Sequence, residues 1–387
     1  MVRPKGLISA VGNPFVLRDL LPSLSARFLG PLCVSLVAVT ACSGAGTSLL
    51  SPSPTSTTET VLAAPSPTST PPSTTTTSPP APTTTEVVAT PIAQFTGEQV
   101  ADLITRPAFF VKIDNHQLAR PQWGINQADV VFEELVEGNI TRFAAIFHSR
   151  NVADIGPVRS ARTGDFDLLR NLNTPLFGNS GGNPTVMRLL NEVDMVLVGD
   201  TNVGRAAYRR NSDRKAPHNL LTSTGDIYAA ADGRGGTPPQ MFSYRDPNEA
   251  LPLSAQPLDA VEIDYGGYQV TYQWDEVFQG WARSQQGTEH VDYDGVQVAP
   301  ENVIIQFVNY GQSVAYAGSP EVKVLGRGEA WVLTAGQIIE ATWNRPTEAD
   351  LTEFRDADGA TIELTPGRTW VALPRSGTAS YADVDQQ

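Results

Sequence analysis

From Phe109 onward, short apolar runs alternate with polar breaks. Phe109-Phe110-Val111-Lys112-Ile113, Asp129-Val130-Val131-Phe132-Glu133 and Phe143-Ala144-Ala145-Ile146-Phe147-His148 are too short for helices and predict strands. Residues 175–178 and 195–198 predict two more. Between them the apolar spacing becomes helical, over 163–171, over 183–191 with Asn183 as cap and Pro184 at the first position, and over 222–231. Such alternation predicts an α/β fold. After a Gly-, Pro- and Asp-rich connection at 232–257 the pattern changes. Residues 260–265, 268–275, 280–284, 302–309, 322–326, 330–334, 337–344 and 361–364 predict short strands, separated by turn markers such as Asp264-Tyr265-Gly266-Gly267 and Asp294-Gly295. The expected architecture is an α/β N-terminal domain, a mixed sheet with flanking helices over 96–240, followed by a β-rich C-terminal domain over 257–374.

The segment ahead of these elements has another character. Arg3, Lys5, Arg18 and Arg27 precede an apolar run at 28–41 that ends in Val39-Thr40-Ala41-Cys42. A charged start, a short apolar core and a small residue before the cut describe a secretory signal. A cysteine at the next position makes it a lipobox, so residues 1–42 read as a signal peptide and Cys42 as the lipidated residue. An uncleaved anchor needs about 20 apolar residues, and this run is shorter and interrupted by Gly30 and Pro31. From 43 to 95, 34 of 53 residues are Ser, Thr or Pro. That composition cannot bury enough apolar surface to offset its ordering entropy and predicts a disordered linker. Together these segments place the protein at the outer face of the cell membrane, lipid-anchored in the envelope. The two cysteines, Cys33 and Cys42, are both spent in this region, so no disulfide or cysteine metal site is expected.

Charge separates the remaining chain. Residues 96–256 sum to −2 and residues 257–387 to −13, within an overall formal charge of −14. The acidic half excludes nucleic acid as a partner. No Walker loop, zinc motif, EF-hand or dinucleotide fingerprint is present, so neither cofactor nor metal is expected.

Polar groups gather just past the ends of the apolar runs, where α/β sheets bind ligands. Asp114, Asn115, His116 and Arg120 combine a carboxylate, an amide, an imidazole and a guanidinium at one strand end. Their type suits acid–base work or a self-bonded turn. Glu134 and Glu137, with Asp114, are the candidate acids for glycan cleavage; a solvated face paired to arginines explains them as well. Arg142, Arg159 and Arg162, with Arg209, Arg210, Arg214, Lys215 and His218, form the most coherent set, and Asn219 is a further candidate ligand contact beside them. They fit a clamp on phosphate or carboxylate, or internal salt bridging. Gly178-Asn179-Ser180-Gly181-Gly182 has the form of a nucleophile elbow and equally of an anion-binding loop. The tryptophans Trp274, Trp281, Trp331, Trp343 and Trp370 suit either sugar stacking or a core.

Several blocks resemble the YerB-type lipoproteins: 111–116 (VKIDNH), 119–122, 128–133, 137–143, 155–162 (IGPVRSAR), 214–220 (RKAPHNL), 302–307 and 366–370 (PGRTW). The resemblance spans nearly all of 97–374 and implies an exported lipoprotein whose two halves have largely unassigned functions. Asn139 departs from it, standing where a second glycine is expected. Two specific functions remain open, beside a less specific third, a pure interaction partner acting through the acidic domain. One is binding of an anionic wall-associated ligand, a cell-wall polymer or a polyprenyl-linked molecule. The other is a glycan-cleaving enzyme of lytic transglycosylase or glycosidase type.

Overall fold

The computed structural model describes residues 90–382, so the signal, Cys42 and most of the linker lie outside the described residues. The linker ends earlier than its composition suggests. Ile92 bridges Gln99, and Ala93 and Phe95 are buried in the core.

The N-terminal half contributes β1 (Phe109–Asp114), β2 (Val130–Leu135), β3 (Thr141–Phe147), α1 (Asp165–Leu169), β4 (Leu176–Gly178), α2 (Pro184–Leu190), β5 (Val196–Leu197), α3 (Asp200–Val203), β6 (Arg209–Arg210), β7 (Leu220–Leu221) and α4 (Thr224–Ala231). The C-terminal half is almost all strand: β8 (Gln256–Pro257), β9 (Ala260–Asp264), β10 (Gln269–Asp275), β11 (Gly280–Gln285), β12 (Thr288–Glu289), β13 (Asn302–Gln306), β14 (Asn309–Gln312), β15 (Pro320–Lys323), β16 (Gly326–Thr334), β17 (Gln337–Arg345), β18 (Glu353–Arg355), β19 (Thr369–Ala372) and β20 (Ala379–Tyr381). Asn183 caps α2 through Thr185 N, and Ser223 caps α4 through Asp226 N, as helix starts require. Asn139 turns with φ 54°, a left-handed conformation that asparagine tolerates, so the turn before β3 survives without a second glycine.

Both halves build one mixed sheet. Its order is β18-β17-β16-β13-β19-β2-β3-β1-β4-β5, with β8 paired to β17. The joint is β19, which runs parallel to β13 on one side and to β2 on the other. The short run at 369–372 gave no strand signal by itself, yet it is the central strand. The stretch at 232–257 packs along the sheet: Met241 N donates to Gln94 O, and Met241 and Phe242 are buried.

Central strands are buried on both faces, and alternation assigns the faces. Phe109, Val111, Ile113, Val131, Phe143, Ala145 and Phe147 pack in one core cluster with the second sheet, β12-β11-β10-β9-β20. Phe110, Val130, Phe132, Ala144 and Ile146 pack in the other, with α1 and α2. Trp281, Trp343 and Trp370 are buried core residues; Trp274 and Trp331 pack on the core's edge.

A buried polar network crosses the first face. The Glu133 carboxylate accepts from Arg283 Nη2 at 2.7 Å, from Thr141 Oγ1 at 2.8 Å and from Trp370 Nε1 at 3.0 Å. Arg283 Nη1 donates to His290 Nδ1 at 2.8 Å, which makes His290 Nε2 the N–H that faces Gln122 Oε1 at 2.9 Å. Burial, then the charges of Arg283 and Arg120, hold the His290 pKa well below its usual range.

His148 is also buried and neutral. Burial outweighs its bond to the Arg106 carbonyl and brings its pKa down to about 4. A histidine whose folded pKa is depressed binds fewer protons than in the unfolded chain. Stability is therefore full above pH 6.5 and falls as pH drops toward about 4. Denaturant titrations between these limits are expected to show a loss on the order of 1–3 kcal/mol. His148→Gln should flatten that slope; an unchanged slope contradicts the assignment.

Candidate functional site

The parallel strands β13, β19, β2, β1 and β4 all end at one edge, and β3 begins there. Register sets three ionisable groups in a row across that edge. Arg142 on β3 lies opposite Asp114 on β1 and opposite Glu134 on β2. Alternation puts all three on the α1/α2 face, at the spacing of cross-strand neighbours.

Neither flanking carboxylate bonds to Arg142. Glu134 is held by Lys112, which also pairs with Asp165 at 2.8 Å, and this triad is buried. Burial opposes the Lys112 charge, but Asp165 and Glu134 more than restore it and raise its pKa. Asp114, 1% exposed, receives Arg159 Nε 3.0 Å from Oδ2, His218 Nδ1 2.7 Å from the same oxygen, and His116 N 3.0 Å from Oδ1. The Arg159 contact is close but is not aligned as a hydrogen bond.

Arg142 is thus 6% exposed with Nε and Nη1 buried and unpartnered. Burial, then the charges of Arg162 and Arg159, pull its pKa down to about 10, against the opposing pull of Glu137 and Asp114. Those two arginines lie on the segment at 155–162. Arg159 N donates to Lys112 O on one side, while Ser180 N donates to Arg159 O and Ala161 N to Gly181 O on the other. The segment is extended, so the arginines meet because it crosses the strand ends. Arg162 forks onto Glu137, Nε to Oε1 at 2.9 Å and Nη2 to Oε2 at 3.0 Å. Burial by itself would raise the Glu137 carboxyl; bonds from Arg162 and Ser319 and the Arg162 charge bring it to about 2. Beside this fork opens a cavity of about 390 Å³ lined by Ser160, Arg162, Asn183, Ser313 and Tyr316. A larger one of about 590 Å³, lined by Met241 and Phe354 among others, has none of these arginines in its wall.

His218 joins the site through Asp114, and the His116 ring stacks on it at 4.7 Å. Other expected members go elsewhere. Asn115, one residue beyond Asp114, faces the opposite side: Nδ2 donates to Thr141 Oγ1, Tyr268 OH and Gln285 Oε1. Arg120 bonds the Asn115 carbonyl and Tyr268, so it belongs to that network. Lys215 is exposed, and Asn219 ties its loop together through Asn211 O, Arg214 O and Arg210. Ser180 has no bond to His218; its loop lines the arginine segment instead. Among the described residues no His, Cys, Asp or Glu cluster is arranged to hold a metal. Ser313 and Tyr316 were missed because the β14–β15 hairpin comes from the other half of the chain and carries no local signal.

Burial pushes the Glu134 carboxyl up, as a general acid would need, but Lys112 covers it and the residue is 3% exposed. Its role is structural. Glu134→Ala is expected to cost about 3 kcal/mol in urea unfolding, the scale of a broken buried ion pair. A loss under about 1 kcal/mol would mean the carboxylate is not committed and would return it to the site.

Comparison with known proteins agrees with this architecture. The family described as protein of unknown function (DUF3048) matches twice, its N-terminal domain over residues 95–237 and its C-terminal domain over 261–371. YerB of Bacillus subtilis (strain 168), whose name provisionally calls it a lipoprotein, is 30% identical over 295 residues, 73% of this chain and 85% of YerB. The crystal structure of the YerB protein from Bacillus subtilis superposes with a TM-score of 0.67 at 26% identity, covering 75% of this chain and 99% of that one. The chain belongs to the YerB family, with the N- and C-terminal DUF3048 domains in tandem.

Proposed function

We propose that this is an exported lipoprotein, anchored through Cys42 at the outer face of the cell membrane, that binds an anionic wall-associated ligand at the arginine-lined edge of its sheet. The lipobox-like end of the N-terminal run and the name of the Bacillus subtilis relative support the anchoring. The observation that carries the binding is Arg142. A buried guanidinium with two unbonded nitrogens is costly, and here two further arginines raise the cost. An anion entering the row would supply the missing acceptors. The glycan-cleaving alternative lacks an available acid. Glu134 is covered by Lys112, Glu137 is held ionised by Arg162, and Asp114 is committed to Arg159 and His218.

Two outcomes follow for Arg142→Met in the full chain, kept in detergent. Without ligand the variant is expected to unfold at higher denaturant than wild type, by about 1–2 kcal/mol, because an uncompensated buried charge is gone. Inorganic phosphate or pyrophosphate at 100 times its dissociation constant should stabilise wild type by about 2.7 kcal/mol and leave the variant unmoved. Equal responses of the two proteins would refute the proposal.

A further inference from the structure

Binding an anion requires the guanidiniums; it does not require an imidazole steered by a buried carboxylate. Asp114 Oδ2 stands 2.7 Å from His218 Nδ1. An ionised carboxylate only accepts, so Nδ1 carries the hydrogen and Nε2 is the basic nitrogen of the neutral ring. Among the described residues Nε2 has no hydrogen-bond partner, and it is not one of the buried unpartnered atoms. The His116 ring, 18° from parallel, fixes the plane of the His218 ring. Arg159 sits on the same Asp114 oxygen at 3.0 Å, so the imidazole and the arginine cluster meet at one atom.

Building on the anion-binding reading, we propose that the site hydrolyses a phosphate monoester or pyrophosphate, with His218 as general base and Arg142, Arg159 and Arg162 holding the phosphoryl group. Phosphate is preferred over carboxylate by count. Its non-bridging oxygens can engage Arg142, Arg159 and the N–H groups of Arg162 that its bonds to Glu137 and Ala161 leave over, whereas one forked arginine satisfies a carboxylate. His218 Nε2 takes a proton from water as the water oxygen bonds to phosphorus. The bond from phosphorus to the leaving oxygen, on the far side, breaks; that oxygen takes a proton from solvent, and His218 returns its own proton to solvent. One water is consumed, and inorganic phosphate plus an alcohol or a shorter phosphate is released, with no redox change. The arginines hold the charge on the non-bridging oxygens, the main contribution a protein makes to phosphoryl transfer. Asp114 is a positioning residue that holds the ring in the productive tautomer.

The test uses the full chain in detergent with two probes, p-nitrophenyl phosphate and farnesyl pyrophosphate, and reads inorganic phosphate. Wild type is expected to cleave at least one of them. His218→Asn should slow release by about 100-fold or more, while inorganic phosphate still raises its melting temperature as in wild type, showing that it folds and binds. Asp114→Asn should slow release as well and alter the shape of the pH–rate profile. Phosphate binding without cleavage above the Arg142→Met background, or full activity in His218→Asn, overturns the inference and leaves the binding reading standing. Absence of phosphate binding removes that reading and the inference with it.

Discussion

The buried Glu133–Arg283 pair is the contact on which the rest of the molecule depends. Glu133 sits on β2 in the N-terminal half and Arg283 on β11 in the C-terminal half, both fully buried. Burying two charges is costly, and the pair is tolerable because further hydrogen bonds surround both groups. Thr141, Tyr272 and Trp370 complete the carboxylate, while Gln285 and His290 complete the guanidinium. Through His290 and Gln122 the network reaches the Asp114 carbonyl, so the same bonds that lock the second sheet onto the first also fix the end of β1.

The opposite face of the same strands has the reverse logic. There the groups are equally buried, but Arg142 is left over. Each neighbour that register offers it has been taken, Glu134 by Lys112 and Asp114 by Arg159 and His218. On the first face the buried guanidinium of Arg283 is bonded to a carboxylate, whereas on this face Arg142 keeps Nε and Nη1 without an acceptor, and the proposed anion is what would supply one.

Much of this was legible in the chain. The strands at 109–114, 130–135 and 141–147 announce themselves because central strands are apolar on both faces. Arg142, Arg159, Arg162 and His218 were grouped from residue type, and Asp114 was set apart from them with Asn115, His116 and Arg120; the structure brings Asp114 onto Arg159 and His218. Asn115 and Glu134 were misgrouped for identifiable reasons. Asn115 is one step from Asp114, and one step along an extended chain changes the face. Glu134 found a partner in Lys112, a lone cation inside an apolar run whose meaning depends on the fold of α1 around Asp165. The central strand β19 was invisible because four residues after Pro366-Gly367 make too short a run to read, and its placement is set by pairing between distant segments.

The most direct test of the account is a crystal structure of the protein with pyrophosphate at low ionic strength. The account predicts an anion within hydrogen-bond distance of Arg142 Nε and Nη1, shared with Arg159 and Arg162, and with Asp114 still on His218. An empty site in which Glu134, Glu137 or a water has turned onto Arg142 would mean that the guanidinium is satisfied internally, and would contradict it.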